Sequence, residues 1–317
     1  MSDLSKIKKV VEDIAAINIQ WATNIAKAAI ETLWQEIMRQ KFWSISELDK
    51  FLQDSIILLK EARETEPMLF NWLKYCSWNY KKLLSKKGDL KTIQKKLRQA
   101  CKEYVQDIEY EEKVRPNIWA KLIKRGYNIM THCHSGSVVK ILTTAWWQEK
   151  EIHVYNTETR PLYQWRRTSN DLIKAWVPNT MITDDSAPFF IDNLYESHVY
   201  IDMVIIGCDN IKTNGGIYNK IWSFAIAMAA RHAGTPVYVV GSLMKVDESD
   251  SVKIERRAGK ELRQEAPKWL EIINYAFDMV PAKFITWIIT EYWVIKPKEI
   301  RNMVKKHYPW MFENLTK

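Results

Sequence analysis

Gly126-Tyr127-Asn128-Ile129-Met130-Thr131-His132-Cys133-His134-Ser135-Gly136-Ser137 is the stretch that decides the fold. A short apolar run breaks into a polar, glycine-bearing turn and passes at once into a helical pattern from Val138 to Trp147. That is how a buried parallel strand hands over to its crossover helix. Further short apolar runs follow at Ile152 to Tyr155, Thr180 to Thr183, Ile201 to Ile206 and Val237 to Val240, separated by helix-length segments. Such alternation predicts a parallel sheet covered by helices.

Before Arg125 the texture differs. From Leu4 onward apolar residues recur at helical spacing, as in Ile25, Ile30, Leu33 and Ile37, and again in Leu90, Ile93, Leu97, Cys101 and Val105. Breaks fall at Trp43 to Ser46, at Pro67 and at Lys87-Gly88-Asp89, and a long helix from about Asp89 to Lys113 joins the halves. The expected fold is α/β: a helical N-terminal domain over 1–120 and a Rossmann-like parallel-sheet C-terminal domain over 121–317.

The chain has 317 residues, 47% hydrophobic and 27% charged, which excludes a disordered or fibrous protein. Met1-Ser2-Asp3-Leu4-Ser5-Lys6 has no apolar core of a leader, and no run reaches membrane-span length, so a cytoplasmic protein without a membrane partner is expected. Four widely spaced cysteines without a C-x-x-C pair suggest neither a disulfide framework nor a zinc ribbon. The formal charge of +9 favours anionic ligands of any kind. The densest basic run, Lys81 to Lys87 with its echo at Lys91, Lys95, Lys96, Arg98 and Lys102, has few interleaved aromatics, so it reads as a solvated helical face and no nucleic-acid partner is expected.

Ligands of open α/β sheets sit beyond the carboxyl ends of the strands. Two such ends carry chemistry. After the first strand, Cys133 stands before a helix amino terminus, which would lower a thiol's pKa, and Ser135-Gly136-Ser137 offers a phosphate cradle. Alternatively Cys133 is a small buried hydrophobe. His132 and His134 share a strand face from which Cys133 would point away, so a metal site is not expected. After the fourth run comes Gly207-Cys208-Asp209, then Asn214-Gly215-Gly216 and Tyr218-Asn219-Lys220 ahead of another helix. A carboxylate leaving an apolar strand is poorly solvated and keeps a proton to donate, unless Asp209 merely caps the turn. Lys245 lies just past the strand ending at Val240. One thiol and one carboxyl in an anion pocket suit proton transfer beside a phosphorylated sugar.

In order and spacing, Thr131-His132-Cys133-His134-Ser135, Thr157-Glu158-Thr159-Arg160-Pro161, Asp185-Ser186-Ala187, Gly207-Cys208-Asp209, Asn214-Gly215 and Asn219-Lys220 resemble the ribose-1,5-bisphosphate isomerases. Ile19 to Asn24 and Arg63-x-Thr65-Glu66-Pro67 with Asn71 extend the likeness into the helical half. That family shares a superfamily with methylthioribose-1-phosphate isomerases and with regulatory subunits of the translation-initiation nucleotide-exchange factor. His134 and Asp185-Ser186-Ala187 favour the bisphosphate isomerases over the methylthioribose enzymes, and Cys133 with Asp209 favours a catalyst over a non-catalytic binding subunit.

The resemblance implies conversion of α-D-ribose 1,5-bisphosphate to D-ribulose 1,5-bisphosphate in nucleoside monophosphate (AMP) degradation, with no metal or cofactor. It implies Cys133 as the base at C2 and Asp209 as the acid. Gln20, Trp21, Ala22, Thr23, Arg63, Ser135, Gly136, Ser137, Asn219, Lys220 and Lys245 would hold the phosphates and hydroxyls. A homo-oligomer, a dimer or hexamer, is also implied.

The chain departs from this family mainly by tryptophan. It has 15 Trp and only 9 Gly, where ordinary usage gives roughly 22 glycines. Trp21, Trp72, Trp165, Trp176, Trp222 and Trp293 stand where the relatives carry glycine or another small residue. Some lineages read the codon UGA as glycine, and a gene of that kind translated with UGA as tryptophan would give this pattern. The rival reading is a divergent protein with a blocked pocket.

Overall fold

The computed structural model of the chain describes residues 3–312 apart from 17, 20, 64, 65, 193–198 and 250–253. The chain divides into two compact units, one of residues 1–111 with 304–317, the other of residues 112–303.

The first unit is helical. Helices α1 (Ser5–Ala15), α2 (Ala22–Arg39), α3 (Ile45–Glu61) and α4 (Pro67–Ser85) are followed by α5 (Leu90–Trp119), which runs on into the second unit. Each helix turns one apolar stripe inward: Ile25, Ile30, Leu33 and Ile37 of α2 and Leu48, Phe51, Leu52 and Leu59 of α3 are buried. The starts follow from local chemistry. Ser44 Oγ accepts from Glu47 N at 3.2 Å ahead of α3, Pro67 opens α4 where its missing N–H is harmless, and Asp89 Oδ1 accepts from Thr92 N at 2.9 Å ahead of α5. The sequence grouped the last residues with the sheet, whereas the segment from Val304 packs in the helical unit. Trp310 does this work: its indole is buried, with its ring centroid 5.3 Å from that of Tyr75 on α4.

The second unit is built on β1 (Asn128–Thr131), α6 (Gly136–Trp147), β2 (His153–Thr157), α7 (Trp165–Lys174), β3 (Asn179–Ile182), α8 (Ala187–Asp192) and β4 (Met203–Gly207). It continues through β5 (Asn210–Lys212), β6 (Ile217–Lys220), α9 (Ser223–Ala233), β7 (Val237–Val240), β8 (Val246–Asp247), β9 (Phe277–Val280), β10 (Trp287–Ile289) and β11 (Val294–Ile295) to the start of α10 (Ile300–His307), whose residues from Val304 belong to the first unit. The main sheet has the order β11-β10-β7-β4-β1-β2-β3. Its neighbours pair in parallel, except β10 with antiparallel β11. All five residues of β4 are buried, as expected of a central strand covered on both faces. Ile129, Val138, Leu142, Val154, Leu172 and Ile205 are among the residues of one core that binds the sheet to α6 and α7.

The α/β class and the helical, then sheet-bearing order of the sequence reading are thus present. A second, smaller sheet, β8-β5-β6-β9, was not foreseen. Its strands have two to four residues, too short to show a period. Among the described residues no helix is long and apolar enough to cross a membrane.

Candidate active site

Strand order decides where the site lies. From β1 the chain builds outward through β2 to β3, then returns to place β4 on the other side of β1. Connections leaving β1 and β4 therefore diverge, and a crevice opens beyond their carboxyl ends. Cys133 follows β1 and Asp209 follows β4. The two ends touch closely: a Cβ on Gly207 would stand 2.8 Å from Ser135 Cβ and 2.9 Å from its Oγ, so only glycine fits there.

Cys133 lies in a turn and not on the strand, with φ at +65°. A residue other than glycine in that region is held there by its surroundings. Here Cys133 N–H donates to Thr159 Oγ1 at 3.1 Å, and Thr168 Oγ1 donates to the Cys133 carbonyl at 3.2 Å. Thr159 is itself fixed: its N–H and that of Arg160 both donate to the buried Asp184 carboxylate, at 2.8 and 2.7 Å. His132 is buried beside it. Its ring nitrogens meet Thr157 Oγ1 at 2.5 Å and the Ile221 carbonyl at 2.8 Å, and burial lowers its pKa, so a neutral ring donates to the carbonyl.

The thiol of Cys133 feels three charges, the ammonium of Lys220 and the carboxylates of Asp209 and Asp184. Burial dominates and pushes the thiol up to about 12, against the opposing pull of Lys220. Burial thus runs against the depression expected from the following helix terminus, where Ser135 Oγ accepts from Val138 N at 3.4 Å.

The other expected residues are placed as follows. Gly136 and Ser137 are exposed in the first turn of α6, where neither N–H has an acceptor among the described residues. Asp209 is half-buried, its N–H donating to the Tyr218 carbonyl at 2.9 Å. Lys220 is buried with its ammonium 4.9 Å from the Phe277 ring centre. Lys245 Nζ donates to the Cys208 carbonyl at 2.6 Å, directly behind Asp209. Asn219 is spent on structure, donating to Ser223 Oγ at 2.8 Å. Cys133, Ser135, Asp209, Lys220 and Lys245 thus gather at the β1 and β4 ends. In the helical unit Trp21 precedes α2, Ala22 is buried in its first turn with Thr23 beside it, and Arg63 lies between α3 and α4. Gln20 lies outside the described residues.

A cleft of about 400 Å³ opens beside this cluster, bordered by Glu158, Arg160, Asp184, Asp185, Ile221 and Trp222. Sequence reasoning quoted Glu158, Arg160 and Asp185 only as parts of motifs and missed Asp184 and His132 as supports. The dipeptide Asp184-Asp185 looks like a solvated pair, and only the fold turns its first member inward.

A family model described as the initiation factor 2 subunit family matches residues 18–297. The chain is 30% identical over 320 residues to the ribose 1,5-bisphosphate isomerase of Pyrococcus furiosus, covering 97% of this chain and 96% of that one. Among solved structures it is similar to the 5-methylthioribose 1-phosphate isomerase of Pyrococcus horikoshii, with a TM-score of 0.74 and 26% identity over 95% of this chain and 87% of that one. It is similar in fold to the translation initiation factor eIF-2B of the same organism, with a TM-score of 0.74 and 21% identity over 92% and 97% of the two chains.

Proposed function

The chain belongs to the initiation factor 2 subunit family, and from that premise we propose that it is a sugar-phosphate isomerase converting α-D-ribose 1,5-bisphosphate to D-ribulose 1,5-bisphosphate. The observation that carries the reading is one thiol and one carboxylate, Cys133 and Asp209, beyond the two strands of the switch point with the Lys220 ammonium beside them. A subunit that only binds has no use for a half-buried thiol held at positive φ within the field of a carboxylate.

The chemistry follows from the substrate. Its anomeric oxygen carries a phosphate, so the ring must open by breaking the bond from C1 to the ring oxygen. The thiol, which holds its proton, gives it to that oxygen. The Asp209 carboxylate takes the proton from C2, leaving an enol across C1 and C2. Asp209 then returns its proton to C1, the Cys133 thiolate takes the proton from the C2 hydroxyl, and the ketone forms with both groups restored. This reverses the order that the resemblance implied, because a thiol at about 12 is a donor at neutral pH. The N–H groups of Gly136 and Ser137 and the charges of Lys220 and Lys245 would hold phosphate at this end of the sheet.

A step in AMP degradation, a cytoplasmic setting and a homo-oligomer, dimer or hexamer, complete the proposal. The test, in the chain carrying W21G, W176G and W222G, is ketose formation from ribose 1,5-bisphosphate and, separately, from methylthioribose 1-phosphate. Turnover of the first alone is expected; turnover of the second alone moves the chain to the methylthioribose enzymes, and turnover of neither makes it a binding subunit.

A further inference from the structure

Tryptophan supplies 15 of 317 residues but, among the described residues, three of the nine other than glycine that have positive φ: Trp21, Trp176 and Trp222. For a bulky side chain that region is a steric outlier. Of the other six, Cys133 and Thr159 bond each other at the candidate site, Tyr163 lies under the guanidinium groups of Arg160 and Arg166, and Lys87, Glu149 and Glu151 carry unbranched side chains rather than a ring.

Each of the three tryptophans fills a slot whose backbone suits glycine. Trp176 stands just past α7 with φ at +62°. Its N–H donates to the Ile173 carbonyl at 2.9 Å, and that of Val177 donates to the Leu172 carbonyl at 2.9 Å. This paired pattern closes a helix through a left-handed residue that is usually glycine. The same unit ends α9 through a left-handed Gly234, with φ at +75°, and ends α6 with the same pair of bonds through Glu149, with φ at +57°, so an unbranched side chain enters the slot as well as glycine and the indole is the bulky exception. The Trp176 indole is 77% exposed, so no packing compensates.

Trp21, ahead of α2, has φ at 76° and ψ at 132°, outside the allowed regions of L-residues. Trp222 caps α9 with φ at 85° and ψ at −13°, where a cap residue normally takes extended backbone, and its indole borders the cleft beside Arg160 and Asp185. Trp72, Trp165 and Trp293 have no positive φ, and their backbone does not call for glycine.

We propose that positions 21, 176 and 222 are glycine positions, that the protein as its own organism makes it carries glycine there through UGA codons, and that residue 222 governs which ligands enter the cleft. A glycine at 222 removes the indole wall of the cleft. The large side chain instead excludes a ligand from it.

The direct test is tandem mass spectrometry of the protein isolated from its organism, on peptides spanning the three positions. Glycine at all three is expected; tryptophan at any of them overturns the proposal for that position. The backbone argument is checked in recombinant protein by W176G against W34G, a change inside α2 at a residue without positive φ. W176G is expected to raise Tm by about 2–4 °C and W34G to lower it; a lower Tm in W176G overturns the geometric reading. For the cleft, W222G is expected to tighten binding of inorganic phosphate at least tenfold, and unchanged binding overturns the part assigned to residue 222. None of these readouts depends on isomerase activity, so they fail or succeed apart from the proposed reaction.

Discussion

Ser135 crosses Gly207 so closely that a Cβ on Gly207 would lie 2.8 Å from that of Ser135. This contact joins the end of β4 to the start of α6 and sets the spacing between the loops that carry Cys133 and Asp209. Replacing Gly207 with alanine must push the two ends apart. The expected result is a loss of about 1–3 kcal/mol in stability, measured by urea unfolding, together with a fall in kcat.

Asp184 holds the loop that supports Cys133 by accepting from Thr159 N and Arg160 N. An asparagine keeps one acceptor and turns an amide against the other N–H. Asp184→Asn is therefore expected to lower stability by about 2 kcal/mol in chemical denaturation. Asp185→Asn, at an exposed neighbour, leaves stability unchanged.

Asp278 accepts from Phe224 N at the start of α9 at 3.1 Å, and burial raises its carboxyl to about 6. Folding thus favours the protonated form. Its stabilising contribution is present below about pH 4 and is lost as pH rises through 6. Burial acts oppositely on His134, lowered to about 4: its contribution is present above 6.5 and lost as pH falls through 4. Asp278→Asn, which keeps an acceptor for Phe224, is expected to stabilise the protein at pH 8 by on the order of 1 kcal/mol after screening. Tm measured from pH 4 to 8 should show the gain vanish at the acid end.

The Lys220 ammonium pulls the Cys133 thiol down against burial. Lys220→Met is expected to slow alkylation of Cys133 by iodoacetamide at pH 9, about tenfold for each unit the thiol rises. Peptide mapping separates this thiol from buried Cys76, Cys101 and Cys208.

Much of this site is legible in the sequence because the large elements are periodic. The runs around Ile129, Val154, Ile205 and Val239 locate four parallel strands, and strand ends locate Cys133 and Asp209. What stays hidden depends on tertiary environment. Nothing local distinguishes a thiol at a helix start that is solvated from one pushed up by burial, so the upward push on Cys133 shows only in the fold. Asp184 looks like surface, Asn219 looks like a ligand donor but is bonded to Ser223, and the tryptophan excess becomes a backbone statement only when φ is known at 21, 176 and 222.

The central claim is that Cys133 acts as the proton donor and Asp209 as the acceptor of one reaction. Replacing either, Cys133→Ser or Asp209→Asn, should lower kcat by roughly 10²–10⁴, but the direct measurement is the pH dependence of kcat between pH 7 and 10 in the W21G/W176G/W222G chain. A protonated thiol donor predicts a rate that holds steady across that range, since the thiol lies near 12. A rate that climbs about tenfold per pH unit would mean that the thiolate is the base, and would contradict the account.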